Sequence, residues 1–104
     1  MRHLLIPLSI LLLSSPLFGQ ETGVLYQYET SSGWEWKTFG DGKVQPKYKG
    51  KITNGKPNGF GVLTYPDGTK YVGEWKDGIR RNGTSYDING NLKVVYVNGK
   101  RITH

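Results

Sequence analysis

The feature that most restricts the fold of this chain is a series of Asn-Gly and Asp-Gly pairs at short intervals. Such pairs supply the positive φ angles that a two-residue hairpin turn requires. Eight of them follow Gly40, at Asp41-Gly42, Asn54-Gly55, Asn58-Gly59, Asp67-Gly68, Asp77-Gly78, Asn82-Gly83, Asn89-Gly90 and Asn98-Gly99. Because so many turns leave little room for a helix, the sequence predicts an all-β chain of short hairpins.

An internal repeat gives the hairpins their order. The segment YKGKITNG at 48–55 aligns with YVGEWKDG at 71–78, a shift of 23 residues. A weaker copy, GWEWKTFGDGK at 33–43, overlays GFGVLTYPDGT at 59–69, and LKVVYVNGKRI at 92–102 repeats the strand and its turn. The repeat predicts a single meandering antiparallel sheet. Its predicted strands are Tyr48–Ile52, Gly61–Tyr65, Tyr71–Trp75, Thr84–Ile88 and Leu92–Val97.

Aromatic residues and glycines recur at fixed places in the repeat. Side chains alternate between the faces of a strand, so Tyr71, Gly73 and Trp75 share one face. We expect the recurring aromatic rings to form the core, and the mid-strand glycines to clear space where a ring from an adjacent hairpin lies on the backbone. The positions that define the repeat are Tyr48, Gly50, Gly55, Gly59, Gly61, Tyr65, Gly68, Tyr71, Gly73, Trp75 and Gly78.

Two tryptophans stand in the less regular first unit. Trp34 and Trp36 flank Glu35 and lie on the opposite face from it. They either cap the N-terminal end of the stack, as terminal repeats commonly do, or form an exposed binding platform.

The first 19 residues have the layout of a secretory signal peptide. Arg2 and His3 precede an apolar run from Leu4 to Leu13, and a small residue follows at Gly19. This run of about ten residues is shorter than the roughly 20 that a membrane-spanning helix needs. We therefore expect an exported protein, periplasmic or secreted, that is cut near Gly19. Residues 20–32 are then an N-terminal strand or linker, and residues 33–104 are the repeat domain.

The residue types exclude several kinds of chemistry. Cysteine is absent, and the two histidines are His3 and His104, so no Cys–His or Ser–His catalytic pair can form inside the fold. Zinc has no ligand set. The run DINGN at 87–91 begins like a calcium loop, but Asn98 stands where the bidentate acid would be. We expect no enzymatic activity, no cofactor and no metal. Nucleic acid is disfavoured as a partner because the chain is predicted to be exported.

A short basic stripe is the main candidate for ligand binding. Without Arg2, the 14 basic residues become 13 against 8 acidic ones, a net charge of +5. Lys47, Lys49 and Lys51 alternate along one predicted strand and therefore share a face. They are candidates for binding anionic lipid headgroups, at about 1 kcal/mol for each basic residue near the membrane surface, or an acidic glycan. The alternative is that they are solvated residues that protect a sheet edge.

The repeat itself resembles a known family. The segment YKGKITNGKPNGFGVLTYPDG at 48–68 resembles the MORN repeat, YxGxxxxGxxxGxGxxxYxxG, and YVGEWKDG at 71–78 is equally typical. The tail at 85–101 is similar to a looser variant found in many bacterial exported proteins. The resemblance covers about residues 33–101, and it implies a curved, elongated sheet of stacked β-hairpins. It also implies a scaffold, a self-associating module or a membrane-lipid binder. No kinase motif accompanies it.

Two functions are therefore open. The first is a non-catalytic module that binds a protein partner or itself through its sheet surface. In that case Trp34, Trp36 and Val94–Val97 are the ends that we expect to be buried, since an exposed sheet invites pairing. The second is a peripheral binder of anionic lipid headgroups or acidic glycans through Lys47, Lys49 and Lys51.

Overall fold

The computed structural model describes residues 20–103, which form one open antiparallel sheet of eight strands. In chain order the strands are β1 (Gln20–Thr30), β2 (Gly33–Lys37), β3 (Lys47–Thr53), β4 (Lys56–Thr64), β5 (Lys70–Lys76), β6 (Ile79–Tyr86), β7 (Leu92–Val97) and β8 (Lys100–Thr103). No helix occurs among the described residues, and the principal-axis extents are 61 × 28 × 26 Å. The predicted all-β class, with a single elongated antiparallel sheet, is confirmed. The predicted signal peptide at 1–19 lies outside the described residues.

Three of the predicted two-residue turns join neighbouring strands. Asn54, Asp77 and Asn98 have φ angles of 53°, 50° and 50°, and the glycines that follow them have φ angles of 75°, 84° and 83°. Two consecutive positive φ angles define a type I′ turn, whose twist matches that of the strands beside it. The asparagine or aspartate tolerates the first position and glycine the second, so the sequence alone determines these three turns.

The predicted meander fails at the N-terminal end of the sheet. Across the sheet the order is β2-β1-β3-β4-β5-β6-β7-β8, so β1 lies between β2 and β3. Its 11 residues are enough for its first half to pair with β3 and its second half with β2. The chain returns to β3 through residues 38–46. Asp41-Gly42 lies in this connection and closes no hairpin: the Asp41 carbonyl accepts the amides of Val44 and Gln45, both at 2.8 Å.

Besides Asp41-Gly42, two more of the predicted turns are wrong. Asn58-Gly59 lies inside β4 and Asn82-Gly83 lies inside β6, so these strands begin five residues earlier than we expected. The side chain of each asparagine instead accepts a hydrogen bond from the turn of the next hairpin. The Asn58 side-chain oxygen accepts the amide of Asp77 at 3.0 Å, and the Asn82 oxygen accepts the amide of Asn98 at 2.9 Å. The same dipeptide therefore has two roles in this repeat, as a turn and as a side-chain link between successive turns.

The C-terminal end also differs from the prediction. β7 matches the predicted closing strand at Leu92–Val97, but β8 pairs with it and forms the edge of the sheet. Val94 is already buried within the chain, while Val97 is 46% exposed. The expectation that Val94–Val97 forms an exposed end to be buried by a partner is therefore wrong for Val94.

Tyrosine rings lie on glycines of the neighbouring strand. The ring of Tyr48 in β3 covers Gly61 in β4, and the ring of Tyr71 in β5 covers Gly83 in β6, so closely that neither glycine has space for a Cβ atom. The hydroxyl of Tyr48 donates to the carbonyl of Lys51 at 2.6 Å, and that of Tyr71 donates to the carbonyl of Glu74 at 2.9 Å. The rings come from the same hairpin as the glycines, whereas we expected them from an adjacent one.

The aromatic core continues across the repeats. Trp75 lies between Tyr48 and Tyr71, with ring centroids 5.4 and 5.1 Å away and interplanar angles of 82° and 88°. Edge-to-face contacts of this kind are stabilising beyond the area that they bury. The fully enclosed rings all lie on one side of the sheet, which we call the core face, and the other side is the outer face. The core consists of Leu25, Tyr48, Ile52, Leu63, Tyr71 and Trp75.

Two faces of the sheet as candidate binding sites

The three lysines of the predicted stripe lie together on the outer face. Lys47, Lys49 and Lys51 alternate in β3 with the buried residues Tyr48 and Ile52, and all three are exposed. The single ion pair found among residues 20–103 joins Lys37 to Glu35 at 3.7 Å, so none of the three lysines has an acidic partner within the described part of the chain. β3 is flanked by β1 and β4, which means that these lysines do not protect a sheet edge.

A continuous row of side chains crosses the outer face beside these lysines. Each member is the cross-strand partner of the next, so the row runs perpendicular to seven strands. Its members, in order from β1 to β8 without β2, are Val24, Lys49, Val62, Val72, Thr84, Val95 and Ile102. We call this set the outer row. Its valines are half-buried and Ile102 is 46% exposed. No second layer covers it among the described residues.

Cations surround the outer row. In the neighbouring register, Lys47 and Lys70 lie on either side of Thr64, and Lys47, Lys49, Val62 and Thr64 line a depression of about 360 Å³. Phe60, which is 56% exposed, lies opposite Glu74 near one end of the lysine stripe. The outer face thus combines apolar side chains with an excess of positive charge.

The core face contains a basic residue that the sequence did not single out as a site. Arg80 lies opposite Trp75 in the β5–β6 pair. Its guanidinium carbon is 5.3 Å from the ring centroid of Tyr71 and 5.4 Å from that of Tyr96, with Tyr65 at 5.8 Å and Trp75 at 6.0 Å. Cation–π contact of this kind places the charge against ring faces. The guanidinium donates to the phenol oxygens of Tyr65 and Tyr96, while its Nε is buried without a partner.

The two fully buried tyrosines of the core face, Tyr48 and Tyr71, are held in their neutral form. Burial raises the pKa of Tyr48 to about 12, although its hydrogen bond to the backbone at Lys51 acts in the opposite direction. Burial also raises the pKa of Tyr71, opposed by a backbone hydrogen bond at Arg81 and by the charge of Arg80. Desolvation disfavours a phenolate, so both rings stay uncharged structural elements, and Tyr71 is one of the rings against Arg80.

The two N-terminal tryptophans have different roles. Trp36 is half-buried and makes edge contacts with Tyr48 and Trp75, at centroid distances of 6.0 and 5.8 Å. It therefore continues the aromatic core to the start of the sheet. Trp34 is 60% exposed and lines the concave side of the core face with Arg80 and Tyr96. The packing of Trp36 agrees with the predicted cap. Trp34 is exposed, and its use as a binding platform stays a prediction.

Two aspartates, Asp67 and Asp87, stabilise turns through side-chain hydrogen bonds. The Asp67 carboxylate accepts the amide and hydroxyl of Thr69, and these bonds lower its pKa. The Asp87 carboxylate accepts the amides of Asn89 and Asn91, which lower its pKa in the same way. Between residues 20 and 103 there is no group of three or more side chains of the kinds that hold a metal ion. In that same range, no helix has the length and apolarity needed to cross a membrane.

Comparison with known protein families identifies the repeat. Residues 48–70 and 71–91 each match the MORN repeat. The chain contains two adjacent MORN repeats. Their boundaries coincide with the structure, because the first match covers β3, β4 and the loop that follows, and the second covers β5, β6 and the equivalent loop. Among curated proteins, none matches the chain.

The MORN repeats also indicate a general kind of activity. They commonly take part in protein or membrane-lipid interactions, and they are generally binding modules without enzymatic activity. In this chain, the repeat places its tyrosines and Trp75 on the core face, and it leaves the lysines of β3 on the outer face.

Proposed function

We propose that this chain is an exported, non-catalytic MORN-repeat module, and that its outer face binds an acidic surface of a partner protein. The observation that carries the proposal is the outer row, a line of mainly apolar side chains that crosses seven strands of an uncovered face. An antiparallel sheet normally has a polar, solvated outer face. A mainly apolar line across such a face is typical of an interaction site.

Charge determines which partner fits. Lys47, Lys49 and Lys51 project from the outer face beside the row, and Glu74 lies opposite Phe60 on the same face. Complementary potentials raise the association rate and suppress wrong partners. The outer row therefore suits a surface that offers apolar side chains bordered by aspartate or glutamate.

The same charges disfavour one kind of self-association. Two copies that met through their outer faces would bring their lysine stripes together, and like charges at an interface are destabilising. Self-association would instead use the two open edges, β2 and β8. β8 has Lys100 and Arg101 beside Ile102, and charged residues on an edge strand are a common protection against edge pairing. A partner protein thus fits the outer face better than a second copy does.

An anionic membrane surface is the second candidate. The specific observation that favours it is the exposed ring of Phe60 beside the lysine stripe. Aromatic rings favour the membrane–water interface, while each nearby lysine contributes about 1 kcal/mol of attraction to anionic lipids. This candidate uses the same lysines, so the two functions differ in their ligand and share their binding face.

Export is part of the proposal and has its own test. It is supported by the basic start, the apolar run from Leu4 to Leu13 and the small Gly19. N-terminal sequencing of the protein from its native source should give a chain that starts at Gln20 or Glu21. A full-length chain with Met1 retained in a cytoplasmic fraction would contradict export.

The binding test compares one variant with one control on two probes. The variant Lys47→Gln/Lys49→Gln/Lys51→Gln removes the stripe, and Lys76→Gln/Lys100→Gln is the control, since these lysines lie at strand ends away from β3. We expect the wild-type chain to bind a poly-glutamate peptide at low salt and to lose binding as salt rises. Binding should fall at least tenfold in the stripe variant and little in the control.

Vesicles with anionic lipids are the second probe. Cosedimentation that exceeds peptide binding, and that is lost in the variant Phe60→Ser, would assign the face to membranes. Equal binding of both probes by the stripe variant and the wild type would contradict the proposed role of the outer face. Light scattering at micromolar concentration completes the test. A stable dimer that also forms in the stripe variant would show that the chain associates through its sheet edges and not through its outer face.

A further inference from the structure

Two adjoining cavities lie on the core face and meet at Arg80. Their volumes are about 320 and 200 Å³, and Tyr65, Arg80 and Tyr96 line both of them. Trp34 and Trp75 lie in the wall of the larger cavity, and Lys93 and Arg101 lie in the wall of the smaller one. None of the aspartates and glutamates between residues 20 and 103 lines either cavity. We call the pair of cavities the inner groove. Together they are within the size range of small-molecule sites.

Arg80 has no counter-ion within the described chain. The one ion pair between residues 20 and 103 joins Lys37 to Glu35. Arg80 is half-buried, and its guanidinium has five N–H donors. Two of its nitrogens donate to phenols, and the buried Nε has no partner. A cation that is partly removed from water without a paired acid is costly, so this arrangement favours an anion that comes from outside the chain.

The two phenols beside Arg80 can each donate a hydrogen bond to a ligand. The hydroxyls of Tyr28, Tyr48 and Tyr71 each donate to a backbone carbonyl. The hydroxyls of Tyr65 and Tyr96 instead accept from Arg80. Within residues 20–103, neither of these two phenols has an acceptor for its own proton. A phenol that accepts one hydrogen bond still has one O–H to donate. The inner groove therefore offers several donors and positive charges around one point, with no acidic group.

The fold does not need a cation at this position. In the first repeat, Pro57 lies opposite Ile52 as Arg80 lies opposite Trp75 in the second. Pro57 is fully buried, and the first hairpin closes without any charge at this place. In the C-terminal hairpin, Arg101 lies opposite Tyr96. The arginines therefore lie where successive hairpins approach the concave side, and they are a departure of this chain from its own first repeat.

We propose that the inner groove binds an acidic sugar, that is, a carboxylate or phosphate carried on a sugar ring. The oxyanion accepts from the O–H groups of Tyr65 and Tyr96 and is attracted by Arg80 and Arg101. Charge-assisted hydrogen bonds of this kind are short and strong. The sugar ring lies against the exposed ring of Trp34, whose amphipathic character suits a ligand with apolar and polar sides. Thr69 and Ser85 in the smaller cavity offer hydroxyls to the hydroxyls of the sugar.

Lys93 contributes less than the two arginines. The charge of Lys93 contributes to the lowered pKa of both Asp67 and Asp87. These two carboxylates therefore offset part of the positive potential at Lys93. The site therefore depends mainly on Arg80, Arg101 and the two phenols. It does not rest on the outer face, and variants of Lys47, Lys49 and Lys51 leave it intact.

The test is a titration of the mature chain at low salt, followed by calorimetry and by tryptophan fluorescence, since Trp34 and Trp75 line the groove. The probes are a galacturonic acid trimer, a neutral galactose trimer, galactose 6-phosphate and a glutamate trimer. We expect saturable binding of the galacturonic acid trimer, with binding of the neutral trimer at least tenfold weaker. Stronger binding of galactose 6-phosphate would support the site and assign the oxyanion as a phosphate.

Variants separate the site from a structural role. Tyr65→Phe/Tyr96→Phe removes two hydroxyls and keeps both rings, and we expect it to weaken binding at least tenfold. The control Tyr28→Phe removes a hydroxyl outside the groove and should bind as the wild type does. Arg80→Gln, checked for folding by circular dichroism, should abolish binding. Equal binding of the neutral trimer, unchanged binding by the folded double variant, preference for the glutamate trimer, or no binding at all would overturn the proposal.

Discussion

The close contact between Tyr48 and Gly61 makes one substitution decisive for the fold. In Gly61→Ala, the new Cβ would overlap the phenol ring of Tyr48 at three of its atoms. The backbone of Gly61 is outside the left-handed region, so alanine has no conformational strain there and the whole effect is steric. The ring cannot shift within its site, because Tyr48 is fully buried and its hydroxyl donates to Lys51. We therefore expect the ring to leave the core.

The size of the effect follows from what the ring contributes. Loss of a large aromatic side chain from a core costs about 3–5 kcal/mol, and overpacking that is only partly relieved costs about 1–3 kcal/mol. We expect Gly61→Ala to lower the free energy of unfolding by about 3 kcal/mol. A domain of this size has about 4–13 kcal/mol in total. At about 4–8 °C for each kcal/mol, the Tm should fall by about 12–24 °C.

The assay is urea unfolding followed by tryptophan fluorescence, with two comparisons. Gly90→Ala is the control: its φ is +86° and no atom lies within 4 Å of the new Cβ, so it should cost about 1 kcal/mol from backbone strain alone. The double variant Tyr48→Ala/Gly61→Ala should be no less stable than Tyr48→Ala, since the clash disappears with the ring. A Gly61→Ala chain within 1 kcal/mol of wild type, or additive effects in the double variant, would refute the ring-on-glycine explanation.

Three further predictions concern the turns and the titration of the core. The folded state lowers the pKa of Asp67 and Asp87, so their stabilisation is present at neutral pH and is lost as pH falls below about 4; acid unfolding of Asp67→Asn/Asp87→Asn should be less steep, and an unchanged acid limb would contradict this. The folded state raises the pKa of Tyr48 from 10.0 to about 12, so its contribution is complete below pH 10 and is lost as pH rises towards 12; the stability of Tyr48→Phe should fall less than that of the wild type across this range, as measured by far-ultraviolet circular dichroism. Asn58→Ala removes the acceptor of the Asp77 amide and should cost about 1 kcal/mol in urea unfolding, whereas no change would show that water replaces the asparagine.

The sequence predicts those parts of the fold that depend on local backbone chemistry. The turns at Asn54, Asp77 and Asn98 follow from the φ angles that only a few residue types adopt, and the alternation of β3 follows from strand geometry. Asn58-Gly59 and Asn82-Gly83 have the same letters as a turn, but they follow the turns at Asn54 and Asp77 by only four and five residues. A hairpin cannot close twice in so short a span, so one pair in each hairpin has to be absorbed into the strand. That spacing is the signal that distinguishes them.

Other features depend on contacts between distant parts of the chain. The place of β1 between β2 and β3 requires a long strand that pairs on both sides, and no turn signal specifies it. The correspondence of Gly61 with Gly83 is hidden because the second repeat is one residue shorter in this stretch, which a fixed shift of 23 residues misses. Arg80 was visible only as one basic residue among several near Tyr71 and Trp75. Its environment of four rings depends on the curvature that brings Tyr65 and Tyr96 to the same side.

The repeat explains why binding chemistry has to lie where it does. The packing of the repeat holds Tyr48, Tyr71 and Trp75 on the core face. Strand alternation then places the β3 lysines on the outer face. In a regular repeat, only the side chains of the outer face are therefore free to vary. The core face can gain a function only where a unit departs from the pattern. Replacement of a buried proline by Arg80 is such a departure, and its cost in desolvation is not repaid by any acid within the described chain. A charge kept at that position without a structural need points to a ligand.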